Sequence, residues 1–191
     1  MGLTENVRDL AKQAKETVVS ALQYAADKRD IRNVLKRDHM LVAGMLEALL
    51  EKADEPGESL NELSESLRSE LLLHSKAEEE VVYEACLKHQ KDIKSFALEG
   101  FIEHSIAEDL VDRVLACRPG RDGKMRAALT VLKETLDHHV RDEEGDLFLK
   151  LQKHFSPEQL IQMGEKMEAI KSNIRIPSAR KAKTSDEMVR H

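Results

Sequence analysis

The chain has 191 residues and a mass of 21.7 kDa, enough for one domain with a sizeable core and short for two. Hydrophobic residues make up 41% and charged residues 35%, which excludes a disordered chain and a membrane-embedded one; four prolines and eight glycines are too few for an all-β fold. The net charge of -6 divides into -9 over residues 1–173 and +3 from Ile174 onward, and so acidic a body argues against nucleic-acid binding.

The apolar spacing predicts helices throughout. Val7, Leu10, Ala11, Ala14, Val18, Ala21, Leu22 and Ala25 form one stripe of an amphipathic helix within residues 1–30. Val34, Leu41, Met45, Leu46, Leu49 and Leu50 mark a second helix, which ends at the turn cluster Asp54-Glu55-Pro56-Gly57-Glu58-Ser59. Leu60, Leu63, Leu67, Leu71, Val81, Val82 and Leu87 mark a third, and the polar run His89-Gln90-Lys91-Asp92 is where the chain turns. A fourth carries Phe96, Phe101, Ile102, Ile106, Leu110, Val114 and Leu115, and it stops at Arg118-Pro119-Gly120-Arg121-Asp122-Gly123. Leu129, Leu132, Leu136, Leu147 and Leu151 mark a fifth. Ser156-Pro157-Glu158-Gln159 then combines an N-cap, a proline at the first helical position and a glutamine three residues past the cap, opening a last helix over residues 156–173. The expected architecture is all-α. Residues 31–155 form an antiparallel four-helix bundle, flanked by the N-terminal and C-terminal helices, and residues 174–191 form a basic, disordered tail.

A repeat with an offset of 65 positions runs through the bundle. His39 pairs with His104, His74 with His139, Asp38 with Glu103, Glu78 with Glu143, Glu79 with Glu144, and Tyr83 with Phe148. Residues four apart project from one face of a helix, so His74 and Glu78, His139 and Glu143, and His104 and Glu108 are each aimed together. A single His-x3-Glu pair is ordinary surface support. Four helices carrying such residues in register can instead enclose two metal ions, and imidazole with carboxylate suits iron or manganese.

This order of motifs resembles the hemerythrin-like, HHE cation-binding domain, a four-helix bundle with a non-haem di-iron centre, over about residues 31–155. The resemblance implies two non-haem irons bridged by oxo or hydroxo and by Glu78 and Glu143. It assigns His39 and His74 to one iron, and His104, Glu108 and His139 to the other. Oxygen carriers of the family have a histidine where this chain has Glu108, and a carboxylate there would favour the ferric state and weaken reversible oxygen carriage. Glu144 is the reserve for Glu143 on the last bundle helix.

The neighbours of these residues have plainer expected roles. Asp38 and Glu103 either support the site or cap nearby positions, Glu79 and Glu80 belong to a solvated face, and Tyr83 and Phe148 pack as core. His89 and His154 lie 15 residues past His74 and His139, about 22 Å along a helix, too far to share the centre. His138 points about 100° away from its ligand neighbour. Met40, Met45, Met125, Met163 and Met167 are core filler, while Gly44 and Gly145 mark close helix approach or room for a small ligand.

The expected function is binding of, or reaction with, a small oxidant or diatomic ligand (oxygen, peroxide or nitric oxide) at the His/carboxylate site. Turnover, such as peroxide dismutation, is left open. The alternative is an iron-binding or iron- and redox-sensing module without turnover. No membrane partner is expected. Cys86 and Cys117, two isolated thiols, and the lack of an apolar signal stretch suit the cytoplasm. The stripe from Thr4 to Lys28 either covers the bundle or pairs with a second chain, so a homodimer through the terminal helices is one expected assembly.

Overall fold

The computed structural model describes residues 27–55, 58–89, 91–120 and 123–176. The expected N-terminal helix, up to residue 26, and the basic tail from residue 177 lie outside the described residues. Every regular element among the described residues is helical: α1 (Ile31–Lys52), α2 (Glu58–Glu78), α3 (Glu84–Leu87), α4 (Lys91–Ala116), α5 (Lys124–Asp142), α6 (Phe148–His154) and α7 (Pro157–Asn173). Two π-helical turns, Glu79–Tyr83 and Glu143–Leu147, splice α2 to α3 and α5 to α6. No helix among the described residues is long and apolar enough to cross a membrane.

Local chemistry sets the ends. Asp30 caps α1 by accepting from the Arg32 amide at 3.0 Å, and the Arg32 guanidinium clamps the same carboxylate at 2.8 Å. Ser156 and Gln159 make the capping box that the sequence suggests: the serine hydroxyl accepts from the Gln159 amide, and the glutamine carbonyl accepts from the Ser156 amide at 2.8 Å. Gly123, at φ 70°, occupies the left-handed region before α5, where a side chain would be strained.

Helices α1, α2, α4 and α5 close a ring of contacts: α1 packs on α2 and α5, and α4 packs on the same two helices. Helix α7 lies across α1 and α2. The interior splits into two apolar layers. One gathers Ile31, Leu35, Val82, Ile93, Leu147 and Leu151. The other gathers Leu46, Leu49, Leu67, Val111, Leu129 and Leu132. The residues between these groups in each helix are His39, His74, Glu78, His104, His139 and Glu143, all buried. A polar layer thus lies between two apolar ones.

Helix α4 departs from its expected phase. Its inward seam is Ile93, Ala97, Gly100, His104, Ala107, Val111 and Val114, whereas Ile102 and Ile106 are exposed. Small residues occupy the seam because bulky neighbours face it: a Cβ on Gly100 would sit 2.5 Å from Tyr83 Cζ. Met40 and Leu41 on α1 are likewise exposed rather than core. Gly44 and Gly145 have no neighbour within 4 Å of a would-be Cβ, so neither marks a close helix approach. The close approach falls at Gly164 of α7, where a Cβ would run into the Arg29 carbonyl and lie 3.0 Å from the Ile31 amide nitrogen.

These two kinds of glycine predict opposite outcomes in urea unfolding of the full chain. Gly164→Ala meets rigid backbone and should cost about 1–3 kcal/mol. Gly44→Ala meets open space inside a helix and should stabilise by roughly 0.5–1 kcal/mol.

Candidate metal centre

Two groups of buried side chains can each hold a cation: His74, Glu78, His104 and His139, and His39, His74 and Glu143, with ligand atoms within 4.8 Å of one another in each group. The His104 and His139 Nε2 atoms are 3.2 Å apart, and the His39 and His74 ring centroids 5.1 Å apart. Glu78 and Glu143 have no exposed surface. Six of the seven residues singled out from the sequence therefore share one layer.

The seventh, Glu108, belongs to neither group. Its half-buried carboxyl lies in the field of Lys76, Glu79, Asp112 and Arg68, and burial raises its pKa. The inward seam of α4 passes from His104 to Ala107 and Val111, which leaves position 108 on the flank. Its counterpart in the repeat, Ala43, is similarly off the seam of α1 and exposed.

Each histidine is held from outside by a carboxylate on a different helical segment. Asp38 on α1 accepts from His74 Nδ1 on α2 at 3.3 Å. Glu79, just past α2, accepts from His104 Nδ1 on α4 at 3.0 Å. Glu103 on α4 accepts from His139 Nδ1 on α5 at 2.7 Å. Glu144, just past α5, accepts from His39 Nδ1 on α1 at 2.9 Å. The relay runs α1 to α2 to α4 to α5 and back to α1. A carboxylate only accepts, so each Nδ1 carries the proton and each Nε2 turns its lone pair to the centre, as a metal-binding imidazole requires.

Asp38 and Glu103 therefore support the site rather than cap a helix, and Glu79 is not merely part of a solvated face. Glu144 has its own task outside the layer, while Glu143 lies within it. The 65-position offset carried this signal, because it matches Asp38 with Glu103 and Glu79 with Glu144. What it lacked was which helix each carboxylate would face.

Several of the inner atoms face one another without hydrogen bonds. His39 Nε2, both Glu78 oxygens and Glu143 Oε2 are buried and unpartnered. His39 Nε2 stands 3.3 Å from Glu143 Oε2, and His74 Nε2 3.3 Å from Glu78 Oε2, close but not aligned for bonding. Unpaired buried acceptors are costly, and cations would satisfy them all. The donor set of imidazole nitrogens and carboxylate oxygens fits such ions.

Burial and the Glu143 charge push the Glu78 carboxyl well above its ordinary value. Burial would raise Glu143 too, but the His139 and His39 imidazoles overcome it and hold that carboxyl well below the usual range. Burial lowers His104, whereas the Glu143 charge and the Glu103 bond outweigh burial and raise His139. Tyr83 donates its hydroxyl to Glu143 Oε1 at 2.7 Å and stacks on the His104 ring, centroids 5.2 Å apart. Burial together with the Glu78 and Glu143 charges keeps this phenol protonated. Tyr83 thus touches the site, beyond the core packing expected of it.

Residues 30–151 match the hemerythrin HHE cation-binding domain. The chain belongs to this family. The HHE domain thus covers the ring of four helices and all six buried ligand candidates, while α7 lies past its end. The HHE chain is also similar to a DNA nickase of Nostoc sp. (strain PCC 7120 / SAG 25.82 / UTEX 2576), 28% identical over 180 residues, which cover 91% of this chain and 48% of the relative. The chain therefore spans about half the length of that relative. No solved structure matches it.

The raised Glu78 pKa gives a pH test on metal-free protein. Folded Glu78 keeps its proton above the pH at which the unfolded carboxyl, near 4.5, has lost it. This group therefore costs stability as pH rises from the unfolded value toward the folded one. Glu78→Gln should equal wild type near pH 4 and become increasingly the more stable at higher pH, in thermal melts recorded with chelator.

Proposed function

We propose that this chain is a non-haem di-iron protein that binds or reacts with a small oxidant or diatomic ligand, such as oxygen, peroxide or nitric oxide. The observation that carries the reading is the set of inward, unpartnered acceptors of His39, Glu78 and Glu143, with a carboxylate fixing each of the four imidazoles around them. His39 and His74 with Glu143 would hold one ion, and His104 and His139 with Glu78 the other, the two carboxylates lying between them. Bound iron would supply one-electron chemistry and an exchangeable coordination position.

The protein's own groups shape what reaches that position. A cavity of about 70 Å³ leads to His39, His74, His104 and His139 between walls that include Val42, Leu46, Leu71 and Leu136. A molecule of a few atoms fits it. The Tyr83 hydroxyl occupies Glu143 Oε1 and leaves Oε2 for a cation. With Glu108 outside the layer, six protein side chains serve two ions, which leaves coordination for a small ligand. The expected effect of Glu108 on oxygen carriage lapses with its placement on the flank.

Strand nicking is the second reading, favoured by the likeness to a DNA nickase over 91% of this chain and by the ability of two-metal sites to support phosphodiester cleavage. The narrow cavity and acidic body weigh against it.

Purified protein loaded with ferrous iron should bind about two irons per chain and show near-ultraviolet charge-transfer absorption after exposure to air. His74→Ala should lose both. Gas evolution from peroxide by wild type alone would identify turnover; spectral change with nitric oxide and no turnover would identify a binder or sensor. Absence of iron uptake would refute the di-iron reading. Conversion of supercoiled plasmid to open circle by wild type but not His74→Ala would favour nicking.

A further inference from the structure

One of the four outer carboxylates is shared with a cation from outside the bundle. Lys171, near the end of α7, donates to Asp38 Oδ1 at 2.6 Å, while Asp38 Oδ2 accepts from His74 Nδ1 at 3.3 Å. Both Lys171 and Asp38 are largely buried. The equivalent carboxylate in the other half, Glu103, bonds His139 at 2.7 Å and, among the described residues, has the exposed His138 beside its second oxygen, at 3.7 Å. Lys171 also lies beyond residues 30–151, so the repeat that builds the site does not supply it.

We propose that Lys171 is a positioning residue that couples docking of α7 to the His39/His74 half of the metal centre. The inference rests on reading the centre as a two-metal site. An ammonium at hydrogen-bond distance neutralises Asp38 and fixes which oxygen faces His74. That fixes the imidazole's protonated nitrogen and its plane. Of the four carboxylate–imidazole bonds, Asp38–His74 is the longest, as expected where the acceptor is shared with a cation. Because the link is an equilibrium one, it acts both ways: docked α7 strengthens binding of one metal ion, and that ion strengthens docking of α7.

The probe is ferrous iron, titrated anaerobically into the full chain against a chromophoric chelator. Lys171→Met should weaken one of the two equivalents by about ten- to a hundredfold and leave the other unchanged, the usual cost of losing an outer partner of a metal ligand. Lys171→Arg, which keeps the charge and the donors, should restore most of the loss. Glu168→Gln cuts the Arg37–Glu168 pair between the same two helices without touching Asp38, and it should leave both equivalents unchanged. Amide exchange in α7 should slow on iron loading of wild type and not of Lys171→Met. If circular dichroism shows Lys171→Met unfolded, Lys171→Gln takes its place with the same expected direction. Two unchanged equivalents in the neutral variant, or an equal loss in Glu168→Gln, would overturn the coupling and leave the two-metal reading intact. A wild-type chain that takes up no iron would overturn both.

Discussion

Two carboxylates without exposed surface, Glu78 and Glu143, sit side by side in the middle of a helical bundle. Removing such charges from water costs several kcal/mol each unless something compensates. The surrounding structure is organised around that cost. Four imidazoles ring the pair, and the apolar core divides into a layer on each side of it. Small residues line α4 where a larger side chain would crowd the Tyr83 ring. The imidazoles alone leave four buried acceptor atoms unpaired. Cations would satisfy all four.

The outer carboxylates make the assembly cooperative across helices. Each histidine is oriented by an acid on another segment, so no helix can rotate or slide without disturbing its own histidine and that of the next helix in the ring. The π-helical turns begin at Glu79 and at Glu143, and Glu79 and Glu144 within them reach histidines on neighbouring helices. Such a relay holds ligands for a metal ion at a defined orientation before it arrives, which lowers the reorganisation needed on binding.

The two halves are copies in plan and differ in detail. Tyr83 reaches the site in one half, and Phe148 stands at the matching position. Lys171 neutralises Asp38, while Glu103 has, among the described residues, an exposed histidine beside its second oxygen. Two ions held in such surroundings would not be equivalent, and unequal ions suit a centre where one holds its place and the other meets a small molecule.

The apolar spacing, with the register of His39, His74, His104 and His139 and the acids four residues past His74 and His139, was enough to determine that the described residues are helical and the layer to which six ligand candidates belong. The breaks near His89 and at Ser156-Pro157 were also readable, because caps and turns are local chemistry. The sequence could not phase α4 from its large apolar residues: Ile102 and Ile106 outweigh Ala97, Gly100 and Ala107 in any hydrophobic pattern, yet the small residues face inward because Tyr83 and the ligands fill the space. Glu108 was misplaced for the same reason, since spacing four from His104 sets a helical face and not which neighbour that face meets. The relay of carboxylates, the contact of Tyr83 with Glu143 and the reach of Lys171 to Asp38 join residues between 25 and 133 positions apart. Only packing of whole helices brings such residues together, and no local spacing encodes it.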